Sequence, residues 1–125
     1  MEENTLADSI AVGVPRNADK AIQAIKESNG IVVNVTDEEI MAAQKLLGCT
    51  CGVFGEPAGV TGTAGVKKLC EQGILGKNDT VVSVVTGNGL KDVANAIKAC
   101  GEPISIPSDM DLLLKAFAEN HIVVE

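Results

Sequence analysis

Thr80-Val-Val-Ser-Val-Val-Thr-Gly-Asn-Gly-Leu-Lys-Asp92 is the stretch that decides the fold expected of this chain. Thr80 to Val85 is β-branched and apolar at nearly every position, which predicts a strand covered on both faces within a parallel sheet. Thr86 stands at its carboxyl end, Gly87 and Gly89 free the backbone to turn, and Leu90 to Cys100 reads as a helix stopped by Gly101. In open α/β sheets ligands collect beyond the carboxyl ends of strands, so a ligand is expected at this turn. The spacing alone, a single Gly-x-Gly, favours an ordinary strand-to-helix loop.

Outward from that stretch, helix and strand signals alternate. Asn17 is placed to cap a helix with Ala21, Ile22 and Ile25 at helical spacing, and Asn29-Gly30 tolerates the positive φ that ends it. Ile31 to Val35 predicts a short strand. Thr36 and Glu39 then form a capping box, and Asp37 and Glu38 add negative charge at the positive end of the next helix dipole, so this acidic cluster needs no catalytic explanation. Ile40, Ala43 and Leu47 supply that helix's buried stripe, with Gly48 as its end.

Gly52 to Gly73 reads as a loop running into a third helix, with Pro57 near its start and Val60, Ala64 and Leu69 facing inward. Ala58, Gly59, Gly62, Ala64 and Gly65 make this helix unusually small-sided. Glycine lowers helix propensity, so close packing against a sheet or another helix must offset the loss. After Pro103-Ile-Ser-Ile106, Ser108 and Asp111 open a last helix carrying Leu112, Leu113, Ala116 and Phe117. The expectation is a single domain over residues 1–125: an α/β unit of three αβα layers around a mostly parallel sheet.

Composition narrows the function. A net charge of −7 opposes nucleic-acid and anionic-membrane surfaces, which need clustered Lys and Arg. No apolar run approaches the ~20 residues of a membrane span, and Glu2-Glu3-Asn4 follows Met1 in place of a basic leader, which predicts a cytoplasmic protein. Cys49, Cys51, Cys70 and Cys100 lack C-x-x-C spacing and His121 is the sole histidine, so no metal site is expected; the thiols read as reduced, small buried hydrophobes.

Ala11-Val-Gly-Val-Pro-Arg-Asn17, Val35-Thr-Asp-Glu-Glu-Ile40, Gly52-Val-Phe-Gly-Glu-Pro-Ala-Gly59 and Thr86-Gly-Asn-Gly-Leu-Lys-Asp92 occur in the order and approximate spacing of the threonine synthases. From about Leu6 to His121 the chain resembles the carboxyl-terminal part of that family, within the large domain of the fold-type-II pyridoxal-phosphate enzymes. The resemblance implies conversion of O-phosphohomoserine and water to threonine and phosphate, by loss of the γ-phosphate and addition of water at the β-carbon. It also implies that the Thr86 hydroxyl meets the pyridine nitrogen of pyridoxal phosphate, while Gly87 and Gly89 let backbone approach the ring. A hydroxyl is a neutral partner and leaves the cofactor a weaker electron sink than an aspartate would.

Glu56, before Pro57, is expected on the same side, reaching the cofactor or capping the third helix. Asn88 is expected to shape the turn by bonding its own backbone. Lys91 and Asp92 read as helix-opening residues, and Arg16 as a loop anchor. Lys20, Lys26, Lys45, Lys67, Lys68, Lys77, Lys91, Lys98 and Lys115 all read as solvent-facing, so neither a desolvated Schiff-base lysine nor the glycine-rich loop for the cofactor phosphate is recognised in this chain. The chain alone is therefore expected to hold no cofactor and to be inactive. It is expected to pair with an amino-terminal portion of the same enzyme and to form a homo-oligomer. The alternatives are a part of a related enzyme, such as threonine dehydratase or cysteate synthase, and a non-catalytic remnant that binds a ligand or partner.

Overall fold

A computed structural model describes residues 3–123. The order of elements is a 3-10 turn at Asp8–Ile10, α1 (Ala18–Glu27), α2 (Asp37–Cys51), α3 (Pro57–Glu71), a second 3-10 turn at Gly89–Lys91, α4 (Val93–Cys100) and α5 (Met110–Glu119). The core lies where α2 meets α3 and is built from Ala7, Ile40, Ala43, Val60 and Ala64, with Val35, Leu47 and Val85 packed at its margin. Small aliphatic side chains in this cluster let the two helices approach closely.

The helix ends follow local chemistry. Glu39 N donates to Thr36 Oγ1 at 3.3 Å and Thr36 N donates to a Glu39 carboxylate oxygen at 2.7 Å, the reciprocal pair of a capping box. Lys68 adds a charged hydrogen bond from α3 to Glu39 at 3.0 Å and another to the Asn34 carbonyl at 2.8 Å. The Thr36 backbone bond, and after it the Lys68 bond, hold the Glu39 carboxyl below the usual glutamate range. Stability from this ionised group is thus complete above the ordinary value of about 4.3 and is lost as pH falls through the lowered one. Thermal melts should show a Tm gap between wild type and Glu39→Gln at pH 7 that narrows toward pH 3; a gap independent of pH would contradict this.

At the end of α1, Asn29 adopts φ 50°, Gly30 N donates to Ile25 O at 2.8 Å and Asn29 N to Lys26 O at 3.3 Å, a Schellman closure. Other ends depart from expectation. Asn17 occupies the cap position of α1 without a side-chain bond. Gly48 lies inside α2, and Gly52, at φ 68°, ends it. Asp109, not Ser108, caps α5 by accepting from the amides of Asp111 and Leu112. Helix α4 begins at Val93, because Asp92 accepts from Asn95 N and the 3-10 turn takes up Gly89–Lys91. The Asn95 side chain, and then its backbone amide, hold the Asp92 carboxyl below its usual range.

The expected sheet is the main correction. Among the described residues neither Ile31–Val35 nor Thr80–Val85 is paired in a ladder; the sole β contact is an isolated antiparallel bridge between Gly55 and Asn88. Val82 is 85% and Val84 73% exposed, against an expectation of burial on both faces. β-branched residues favour extended chain, but a strand exists only with a neighbour to receive its hydrogen bonds. Here both stretches lie along α3 instead. A Cβ on Gly65 would stand 3.1 Å from Val33, Gly62 faces Ser83, and Thr63 Oγ1 and Ser83 Oγ are 2.9 Å apart. The small residues of α3 do serve close approach, to two unladdered stretches of chain.

Much apolar surface has no cover. No residue of α1 or α5 is buried, so the stripes of Ile22 and Ile25, and of Leu112, Leu113, Ala116 and Phe117, pack on little. The accessible surface is 9497 Å², whereas a folded monomer of 12.9 kDa exposes about 6,300 Å². All four cysteines are free thiols, as expected, but are exposed rather than buried. No helix among the described residues is long and apolar enough to cross a membrane.

Candidate functional site

The turn Thr86–Gly89 is clasped to the segment before α3 by two backbone bonds. Glu56 N donates to Gly87 O at 2.9 Å, and Gly89 N donates to Phe54 O at 2.8 Å. Asn88 shapes the turn as expected: its Oδ1 accepts from Leu90 N at 2.9 Å. On the far side, Gln44 of α2, fully buried, donates through Nε2 to Gly55 O at 2.7 Å. A chain of hydrogen bonds therefore runs from the α2–α3 core to the turn.

The glycines have specific neighbours. A Cβ on Gly59 of α3 would lie 3.0 Å from Gly87 N and 3.2 Å from Thr86 N, so α3 supports the turn backbone directly. A Cβ on Gly87 would fall 2.0 Å from Glu56 Oε1, and one on Gly89 would fall 2.5 Å from the Phe54 ring. These two positions are small because Glu56 and Phe54 fill the space beside them. Thr86 itself is exposed at the edge of the turn.

Glu56 stands at the cap position of α3 but its side chain makes no capping bond. Its carboxylate, nearly buried, pairs instead with Lys91 Nζ at 3.1 Å. Pro57 follows at the first helical position, where its missing N–H costs nothing. Glu56 and Lys91 also line an open groove of about 480 Å³ with Thr5, Leu6, Asp8, Ser9, Asp92 and Asn95. Thr86 is not part of that groove's lining. Of the sequence-derived site residues, the structure brings Glu56, Gly87, Asn88 and Gly89 into one clasp, with Thr86 at its rim.

Sequence reasoning missed Gln44 and the Glu56–Lys91 pair. A polar residue beside the Ile40, Ala43, Leu47 stripe was the available signal for Gln44; the ion pair joins residues far apart in the chain and left no local mark. Arg16 is exposed and lines a separate groove with Ser9, Ile10, Val12, Pro15 and Asn17. Lys68 is half-buried against Glu39, and the other lysines are exposed. Among the described residues no cluster of three or more His, Cys, Asp or Glu side chains could hold a metal ion.

The chain is 48% identical over 115 residues to the threonine synthase of Methanocaldococcus jannaschii, covering 92% of this chain and 28% of that protein. It is 44% identical over 117 residues to the threonine synthase of Methanosarcina acetivorans, covering 92% of this chain and 29% of that protein. It is 43% identical over 114 residues to that of Halalkalibacterium halodurans, covering 90% and 32%. The chain thus spans under a third of the length of these relatives. The model of the pyridoxal-phosphate dependent enzyme family matches residues 1–87, ending within the clasped turn. With that match over more than half of its length, the chain belongs to the pyridoxal-phosphate dependent enzyme family.

Proposed function

We propose that this chain, as a single domain, is the carboxyl-terminal part of a threonine synthase that converts O-phosphohomoserine and water to threonine and phosphate, and that it supplies the ring-nitrogen wall of the cofactor site. The observation that carries the proposal is the clasped Thr86–Gly89 turn, occurring in a chain similar along its length to threonine synthases. The donor set fits pyridoxal phosphate on this side. Thr86 and Asn88 are exposed, while Glu56 and Phe54 fill the space beside Gly87 and Gly89, so the exposed rim of the turn is the part left to face an approaching ring.

Bound pyridoxal phosphate supplies the electron sink for carbanion chemistry. The residues of this chain orient it. The Thr86 hydroxyl would donate to the ring nitrogen as a neutral partner and the backbone at Gly87 and Gly89 would lie against the ring, while Asn88 fixes the turn and Glu56 supports it. The Schiff-base lysine and the phosphate loop belong to an amino-terminal portion of the same enzyme. That portion also adds the strands that pair with Ile31–Val35 and Thr80–Val85, making the mostly parallel sheet of a three-layer unit. The excess of exposed apolar surface supports such a partner, and assembly into a homo-oligomer would cover more of it.

The test is an assay of the complete enzyme containing this chain. Phosphate release from O-phosphohomoserine that depends on pyridoxal phosphate is the expected result. Turnover of threonine instead would assign the chain to a dehydratase, and no cofactor binding would make it a non-catalytic module.

A further inference from the structure

We propose that Lys91 is a positioning residue: by neutralising the nearly buried Glu56 carboxylate it locks the Thr86–Gly89 turn in the shape that receives the cofactor. The inference rests on the function proposed above and deepens it at the same site. Glu56 precedes α3 and Lys91 follows the turn, so the ion pair spans the clasp from one side to the other. The Glu56 side chain is 10% exposed and that of Lys91 63%. An exposed lysine ordinarily contributes little through an ion pair. This one differs because its partner is nearly buried, and a nearly buried carboxylate deprived of its cation is unfavourable.

The geometry says where the consequence falls. Glu56 Oε1 occupies the place of the missing Gly87 side chain, 2.0 Å from where a Cβ would be. Without Lys91 the carboxylate turns outward to recover water, and that space empties. What remains is a turn held by two backbone bonds at an isolated bridge, with Thr86 at its rim. Glutamine at position 56 has nearly the same shape and no charge to compensate. The two substitutions therefore have unequal costs, and the second relieves the first.

The experiment measures the dissociation constant for pyridoxal phosphate in the complete enzyme by equilibrium dialysis, together with hydrogen exchange of the segment 86–91. Circular dichroism checks that each variant is folded. Lys91→Met should weaken binding about tenfold and speed exchange in the turn, because it leaves a nearly buried charge unpaired. Lys91→Arg should stay within about twofold, since the charge is kept. Glu56→Gln should weaken binding about threefold, and Glu56→Gln with Lys91→Met should return to about the Glu56→Gln level.

Unchanged binding in Lys91→Met would overturn the proposal and make Lys91 a solvated surface residue. A Lys91→Met defect that Glu56→Gln fails to relieve would also overturn it, because Lys91 would then meet the cofactor or substrate itself. Absence of pyridoxal phosphate binding in the wild-type enzyme would instead sink the proposed function, and this inference with it.

Discussion

Replacing Gly59 with valine is expected to cost about 2–3 kcal/mol of stability and to displace the cofactor turn. Two terms compete at any glycine inside a helix. A side chain restores helix propensity, by up to about 1 kcal/mol for alanine and less for β-branched valine. Against this stands the space available. At Gly59 a Cβ would already lie 3.0 Å from Gly87 N and 3.2 Å from Thr86 N, and these are backbone atoms that cannot rotate aside. The Cγ atoms of valine add to that conflict. The packing penalty wins, and its effect reaches the turn that α3 supports.

Gly62 provides the control within the same helix. Its nearest contact would be Ser83 Oγ at 3.6 Å, an ordinary van der Waals distance, and the residue is exposed. Gly62→Ala should therefore stabilise by up to about 1 kcal/mol. Urea unfolding of the two variants should shift the midpoint in opposite directions; shifts of the same sign would contradict the contact pattern of α3.

Replacing Gln44 with glutamate should be more damaging, at about 3–5 kcal/mol, despite near-identical shape. Gln44 is fully buried, and its Nε2 donates to Gly55 O at 2.7 Å. A carboxylate there cannot donate when ionised, so two acceptors would face each other in a desolvated site. Gln44 Oε1 has no hydrogen-bond partner among the described residues, so nothing now offers the new charge a cation or donor. Gln44→Met removes the unpartnered acceptor along with the donor. Its cost is the loss of one bond to Gly55 O, about 1–3 kcal/mol. Thermal unfolding should rank wild type above Gln44→Met above Gln44→Glu, whereas equal melting of the two variants would show that Gln44 is hydrated.

These residues also mark how far the sequence was legible. The Thr36–Glu39 capping box, the Asn29-Gly30 closure and the Asn88 turn were readable because each is completed within a few residues. The small side of α3 was readable too, since glycine in a helix interior demands a compensating contact. Thr80–Val85 misled for the opposite reason: its composition favours a strand, but a ladder depends on a second stretch of chain at the right distance, and none of the described residues provides it. The stripes of α1 and α5 have correct spacing and no covering partner. The structure gathers Glu56, Gly87, Asn88 and Gly89 into one clasp, as their motifs led one to expect, but Lys91 looked like any helix-opening lysine until the structure set it 3.1 Å from Glu56. The cysteines were misjudged because a small thiol is tolerated on either side of a helix.

The most direct test of the central claim is Thr86→Ala in the complete enzyme, read by steady-state turnover of O-phosphohomoserine alongside urea unfolding. Thr86 is exposed, so its loss should change stability by less than about 0.5 kcal/mol. If its hydroxyl meets the ring nitrogen, turnover should fall roughly threefold to tenfold, the value of one hydrogen bond. Turnover equal to wild type in the alanine variant would contradict the role of this turn as the ring-nitrogen wall.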